Sequence, residues 1–162
     1  MTILRDPRQH DVPGTIRRLL LGLVLLGIVG LLVELALLGH TESATQWIPI
    51  GVLGAGLIGA IALTVRPSRT TVRGFQALMV LFVAAGMLGL VLHYRSNVEF
   101  EREMDATAAG WRLIWQSLRG ATPSLAPGAM AQLGLLGLIL TYRHPALHSA
   151  QLPFPAPGQE TA

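Results

Sequence analysis

Cysteine and lysine are both missing from this 162-residue sequence, and charged residues are scarce. Without cysteine the chain cannot form disulfides, thiolate metal sites or thioether-linked haem, and it has no thiol nucleophile. Charged side chains make up 13% of the residues, whereas about 25% is usual in a soluble domain. Phosphate-binding loops, metalloprotease motifs and dinucleotide fingerprints are also missing, so no motif indicates a reaction.

Hydrophobic residues are plentiful, at 51% of the chain, and they are gathered into long runs. The run from Leu19 to Gly39 contains one ionisable group, Glu34. At about 1.5 Å per residue, such a helix crosses a hydrocarbon core of roughly 30 Å. Runs of this kind predict four transmembrane helices, over about 17–39, 47–65, 74–94 and 125–142. The fourth run is the shortest, and without it the count falls to three.

These runs predict an all-α integral membrane protein with a single transmembrane helical domain, residues 1–148. A proline-containing tail, residues 149–162, is predicted to be disordered. Between the third and fourth spans, the block WRLIWQSL places four apolar residues at i, i+3, i+4 and i+7, namely Trp111, Ile114, Trp115 and Leu118. This spacing predicts a short amphipathic helix over about 108–119 that lies flat in the membrane interface and anchors the loop there.

Arginine positions predict the orientation. Four arginines precede the first span and three follow the second, whereas the link between these spans has none. Arginine and lysine are enriched in cytoplasmic loops, so we expect a multi-pass protein of the plasma (inner) membrane with both termini cytoplasmic. A three-span arrangement would place the C-terminus outside. Because the arginines lie beside the spans, lipid headgroups are the expected partner rather than a nucleic acid.

Small residues predict close packing between the spans, because lipid offers no hydrophobic drive for helix association. The residues predicted to pack are Gly27, Gly30, Gly51, Ala55, Gly59, Gly86 and Gly89. The first and third spans share one pattern, two glycines three apart with an ionisable residue four further on. The chain is then two repeated helical hairpins, or the match is chance, because leucine, valine and glycine dominate all membrane helices.

The ionisable residues in this shared pattern are Glu34 and His93, and the predicted topology places both in one leaflet. An ionised carboxylate deep in hydrocarbon costs on the order of 3 kcal/mol on insertion scales, so Glu34 needs a proton or a partner. We expect an intramembrane polar pair of Glu34 with His93, and Gln132 is a neutral alternative partner. A structural pair and a proton relay both fit this arrangement.

Cofactor binding has little support in the spacing, and no cofactor is predicted. His40 and Glu42 fall near the same surface as His93, but a site built from His93 with His40 or Glu34 has only two ligands. Zinc sites use three or four. Haem is held in some proteins by two histidines from neighbouring helices, which leaves His40 and His93 as weak candidates.

Three functions remain open after these exclusions. The leading one is a non-catalytic membrane protein that serves as a subunit or accessory factor of a larger complex, through other membrane subunits or self-association. The glycine-lined faces and the tryptophan-bearing helix favour this function, because a four-helix bundle without partners does not require them. The first alternative is a small proton- or cation-conducting transporter or channel that uses Glu34 and His93. The second is a haem-binding, redox-associated membrane protein.

Overall fold

The computed structural model describes residues 12–39, 44–120 and 125–148, and within these ranges the chain is helical without strands. The α-helices are α1 (Val12–Leu37), α2 (Trp47–Val65), α3 (Arg69–Met104), α4 (Gly110–Leu118) and α5 (Leu125–Thr141). Short 3-10 turns occupy Ala44–Gln46 and Pro145–Leu147. The predicted all-α class is confirmed.

Among the described residues, three segments are long and apolar enough to cross a membrane: Pro13–Leu37, Ala44–Val65 and Arg69–Met104. The fourth predicted span corresponds to α5, which has 17 residues. At about 1.5 Å per residue, α5 is roughly 26 Å long, slightly less than a hydrocarbon core. Length and composition therefore support a membrane protein with three secure candidate spans. The predicted tail, residues 149–162, lies outside the described residues.

The helices α1, α2, α3 and α5 form a four-helix bundle in which each packs against two neighbours, in the ring order α1, α2, α3, α5. Neighbours in this ring run antiparallel, because short connections join α1 to α2 and α2 to α3. Within the described ranges α1 does not contact α3, and α2 does not contact α5. These pairs lie diagonally across the bundle. We call the end at which α1 finishes and α2 and α5 begin the upper end.

Buried residues recur at alternating intervals of three and four, the spacing of helices that pack side by side in bundles. On α3 the sequence of buried positions is Val72, Phe75, Met79, Phe82 and Gly86. The same interval on α1 gives Val24, Ile28, Leu31 and Leu35, and on α2 it gives Leu53, Gly56, Ala60 and Leu63. Large apolar side chains on the other faces are exposed, as a surrounding hydrocarbon would allow.

Glycine brings α3 and α5 into backbone contact. A Cβ added at Gly86 would lie 2.6 Å from the Pro127 carbonyl oxygen and the Ala131 nitrogen. A Cβ added at Gly134 would lie 2.6 Å from the carbonyl oxygen of Met79. Real Cβ atoms do not approach backbone so closely, so only glycine allows this helix separation.

The other glycines predicted to pack divide into two groups. Gly27, Gly59 and Gly89 lie against side chains of neighbouring helices, whereas an added Cβ at Gly30 or Gly51 would have no neighbour within 4 Å. Ala55 is half-buried. Three packing glycines were not predicted: Gly56, which lies under the Phe82 ring, and Gly134 and Gly137 on α5. The predicted repeat of two hairpins stays a prediction.

A hairpin of α3 and α4 extends beyond the upper end of the bundle. The Asn97 side chain is buried, and its Nδ2 donates a hydrogen bond to the Ser117 carbonyl oxygen at 3.0 Å. Since Asn97 precedes the end of α3 by seven residues and Ser117 follows the start of α4 by seven, the two arms run antiparallel. The helix α3 thus continues ten residues past the predicted span, because α4 covers one side of the extension.

The turn of this hairpin is held by Asp105. Its Oδ1 accepts hydrogen bonds from the Thr107 backbone N–H at 2.9 Å and the Thr107 hydroxyl at 2.6 Å. Its Oδ2 accepts one from Arg112 at 2.7 Å. These hydrogen bonds, those from Thr107 first, hold the pKa of the Asp105 carboxyl below its usual value. The ionised carboxylate therefore joins both sides of the turn.

At the lower end, Arg17 ties the start of α1 to the end of α5. Its guanidinium donates hydrogen bonds to the carbonyl oxygens of Tyr142 at 3.3 Å and Arg143 at 3.2 Å. These carbonyls lie at a helix C-terminus, where cations are favoured. Burial, followed by the charge of Arg17, lowers the pKa of His144 beside it.

Candidate functional site

Glu34 lies on α1 one residue before the core residue Leu35, at the edge of the bundle interface rather than inside it. Its side chain is exposed although its neighbours on that side are apolar, among them Val33 and Leu37. Within the described residues it makes no side-chain hydrogen bond and no ion pair. The carboxyl borders two concave regions, a groove between α1 and α5 and a cavity in the upper half of the bundle.

The groove runs along α1 and α5 and has a volume of about 540 Å³. From α1 it is lined by Gly27, Gly30 and Glu34, and from α5 by Ala129, Gln132 and Leu136 among others. The spaced pattern of the first span, Gly27, Gly30 and Glu34, therefore borders one groove. Gln132, an expected neighbour of Glu34, is exposed on this groove. It lies roughly two turns below Glu34, because the adjacent Leu133 contacts Gly27.

The cavity has a volume of about 420 Å³ and receives residues from α1, α2, α3 and α5. Its walls are mainly leucine side chains with Ala85, Gly89 and Pro127. Polar groups line it as well, namely Glu34, His93 and the residues Thr45 and Gln46 that precede α2. The cavity therefore combines an apolar wall with a polar set at the upper end of the bundle.

Glu34 and His93 border this cavity from diagonally opposite helices. Neighbouring helix axes are about 8–10 Å apart, so diagonal axes are roughly 11–14 Å apart. His93 also lies higher than Glu34, because Gly86 meets α5 near Pro127 and Ala131 whereas Gly27 meets it at Leu133. That offset is about four residues, or roughly 6 Å. No hydrogen bond or ion pair joins the two side chains in the described ranges, and their pairing stays a prediction.

The remaining candidate ligands are mostly beyond the described ranges. His40 and Glu42 lie in the 40–43 segment, outside the residues described. Within the described part of the chain no three histidine, aspartate or glutamate side chains come together as a metal ion would require. Among the described residues, His93 is the histidine that lines the cavity, so the second histidine of a haem site would have to come from outside these ranges.

The tryptophan face of α4 forms the other predicted site. Trp111, Ile114, Trp115 and Leu118 are all exposed. The two indole rings stack with their centroids 6.4 Å apart, and the Arg119 guanidinium lies 5.6 Å from the Trp115 ring centroid. The predicted amphipathic helix is present, from Gly110 to Leu118. Its contact with a bilayer interface stays a prediction.

Two features of the site were not predicted from the sequence. Asn97 continues the α3 core spacing four residues beyond His93, and that spacing could have identified it as buried. Thr45 and Gln46 line the cavity because the Ala44–Gln46 turn leads directly into α2 at the upper end. No pattern in a polar seven-residue link indicates such a position, because it depends on how the helices are arranged around the ring.

Comparisons with known proteins do not assign a function to this geometry. No protein-family model matches the sequence, and no curated protein or solved structure matches it.

Proposed function

We propose that the chain crosses the plasma membrane four times, with α5 as the fourth span and both termini on the cytoplasmic side. Support for the fourth span comes from the packing of α5 along α3 and α1, which leaves its apolar residues Leu135 and Ile139 on the outer surface of the bundle. In this orientation the arginine-rich N-terminal ends of α1 and α3 lie in the cytoplasm, as the positive-inside rule favours.

Single cysteines test this topology cleanly, because the chain has no native cysteine. In intact cells, a membrane-impermeant maleimide should label Ala106→Cys, in the turn between α3 and α4. It should not label Thr70→Cys or His148→Cys until the membrane is permeabilised, and that step is the control for reactivity. Labelling of His148→Cys from outside would contradict the fourth span.

The proposed function is that of a non-catalytic subunit or accessory factor of a larger membrane complex. The observation that supports it best is the exposed Glu34 side chain in a groove that is lined, apart from Gln132 about two turns below, by apolar and small residues. At that depth a carboxylate facing lipid costs on the order of 3 kcal/mol, and this cost is removed when another protein surface supplies a hydrogen-bond donor. A partner helix in the groove would supply that surface.

The chemistry of the groove specifies the partner. Gly27 and Gly30 leave room for a helix to approach, so the partner helix should present small residues there. Its side chain near Glu34 should donate a hydrogen bond, as asparagine, glutamine, serine, threonine, histidine or arginine can. A second copy packed through α1 would place carboxyl against carboxyl. The groove therefore favours a transmembrane helix of a different protein.

Photo-cross-linking from a single cysteine tests this proposal. Leu26 borders the groove and Ile58 lies on α2, and both are 70% exposed, so Ile58→Cys is a matched control. Each variant, labelled with a benzophenone maleimide in native membranes, is irradiated and its adducts are identified by mass spectrometry. We expect a discrete protein adduct at Leu26→Cys, located in a transmembrane helix with a hydrogen-bond donor, and none at Ile58→Cys.

Substitutions of Glu34 test whether formation of the adduct depends on the carboxyl group. Adding Glu34→Leu to Leu26→Cys should reduce the adduct several-fold, because the partner loses its polar contact, while Glu34→Gln should retain most of it. Lipid adducts alone at both positions would contradict the proposal. An adduct of twice the chain's mass would show that the partner is a second copy of this chain rather than a different protein.

A proton- or cation-conducting function has less support. A relay needs groups in hydrogen-bond succession, and Glu34 and His93 are separated by the cavity without a hydrogen bond between them in the described ranges. The same separation that weakens a relay leaves space for a bound molecule.

A further inference from the structure

The cavity arises from a change of residue size along the core positions of α3. In the lower half these positions hold Phe75, Met79 and Phe82, which are buried and fill the space between the four helices. In the upper half they hold Gly86 and Gly89. Gly86 contacts α5 and Gly89 lies against Pro127 of α5, and the cavity of about 420 Å³ is bordered by Ala85 and Gly89.

The cavity has the dimensions and lining of a small-molecule site. Ligand sites typically measure about 300–1,000 Å³, with apolar walls and a few polar groups that orient the ligand. Along α1 its lining runs from Leu31 to Leu38, a depth of roughly 10 Å. An apolar molecule in this cavity would gain dispersion contacts with its walls and would therefore stabilise the bundle.

Glu34 and His93 determine which head group such an occupant can carry. A neutral carboxyl offers a donor and an acceptor, an imidazole nitrogen can donate or accept, and after proton transfer the imidazolium donates while the carboxylate accepts. Either way, a group placed between them is best satisfied if it both donates and accepts. A head of either charge would lose its hydration on entering this apolar-walled cavity, a cost that a neutral hydroxyl largely avoids.

We propose that this cavity binds a neutral, lipid-soluble molecule with a hydroxyl-bearing head, such as an alcohol, a monoglyceride or a quinol. Its apolar body lies against Leu35, Leu53 and Leu92, and its head lies between Glu34 and His93. The site uses the membrane location proposed above but needs no partner protein. Failure of the cross-linking test would leave it standing.

Three probes with one chain length test the head group: decan-1-ol, decanoate and decyltrimethylammonium. Each is titrated into the purified full chain in detergent, and Tm and the bound mass by native mass spectrometry are recorded. A ligand that binds only the folded state raises Tm with the logarithm of its concentration above Kd, here by about 3 °C at tenfold excess over Kd. We expect this shift and a one-to-one complex for decan-1-ol, and neither for the two charged probes.

Two neighbouring alanines of α3 provide matched variants. Ala85 lines the cavity and Ala84 is exposed on the outer surface. Ala85→Leu fills the cavity and should abolish the Tm shift and the one-to-one complex, whereas Ala84→Leu should retain both. If Ala85→Leu does not fold, Ala126→Leu fills the same space from α5. Glu34→Leu and His93→Leu should each raise Kd about tenfold, because each removes a hydrogen bond to the head.

Three results of these titrations would each overturn a different part of the proposal. Equal shifts in Ala85→Leu and Ala84→Leu would show that the alcohol acts through the detergent and would overturn the proposal. Equal binding of all three probes would overturn the role of Glu34 and His93. No saturable binding by the wild type would overturn the site itself.

Discussion

Alanine at Gly86 or Gly134 is expected to lower the free energy of unfolding by about 1–3 kcal/mol, the usual cost of overpacking a tight interface. At each position the added Cβ would lie 2.6 Å from backbone atoms of the facing helix. Side chains can rotate away from such a contact, but helix backbone cannot. The helices α3 and α5 must therefore separate along their whole interface. The double variant should lose less than the sum, because the first substitution has already separated them.

Reversible unfolding in mixed micelles, followed by circular dichroism, measures these losses. Gly74→Ala on α3 and Gly128→Ala on α5 are the controls, because an added Cβ at either position has no neighbour within 4 Å. They should be neutral or stabilising by up to about 1 kcal/mol, the usual advantage of alanine over glycine in a helix. Equal losses in all four variants would mean that close approach is not what the two buried glycines provide.

Hydropathy predicted the helices well where membrane burial and helix length coincide. The second span was predicted over 47–65, and α2 runs from Trp47 to Val65. The third was predicted to end at residue 94, whereas α3 continues to Met104. The difference is physical, because a hydropathy run ends where hydrocarbon burial ends. The polar extension of α3 stays helical through its packing with α4 and the buried Asn97, which a hydropathy run does not report.

The packing faces were harder to predict than the helices. A helix that is apolar on all sides has little hydrophobic periodicity, so the sequence of α2 does not show which of its faces is buried. The spacing of Gly51, Ala55 and Gly59 therefore predicted a packing face no better than other spacings would. The face actually buried contains Gly56 and Ala60. It was selected by its partner, because the Phe82 ring of α3 needs a position without a side chain opposite it. That requirement becomes visible only when two helices are considered together.

The depth of Glu34 and His93 in the bundle was predictable from the sequence, whereas the separation between them was not. Topology alone predicted that Glu34 and His93 share one end of the bundle, and both border the cavity there. Their diagonal separation depends on α5 lying between α1 and α3, which the contacts of Gly27, Gly86 and Gly134 determine. Depth along a helix can be read from one sequence, whereas the order of helices around a ring depends on which interfaces pack most tightly.

Phe82→Ala is expected to be the most destabilising single substitution in the bundle, at about 3 kcal/mol. The side chain is fully buried, and phenylalanine-to-alanine changes in cores typically cost about 3–5 kcal/mol. The lower end of that range applies, because the unfolded helices remain in an apolar environment and only the packing term is lost. Leu81→Ala is the control, since Leu81 is 46% exposed on the adjacent outer surface, and it should change stability by less than about 0.5 kcal/mol.

A double-mutant cycle with Gly56 identifies the contact responsible. A Cβ added at Gly56 would overlap the Phe82 ring, so Gly56→Ala alone should destabilise by about 1–3 kcal/mol. In the Phe82→Ala background the new methyl group enters vacated space and restores some packing. The double variant should therefore be more stable than the sum of the single losses predicts, by about 0.5–3 kcal/mol. Strict additivity in unfolding titrations would mean that the ring and the glycine do not form one packing unit, and that α2 is held against α3 by other contacts.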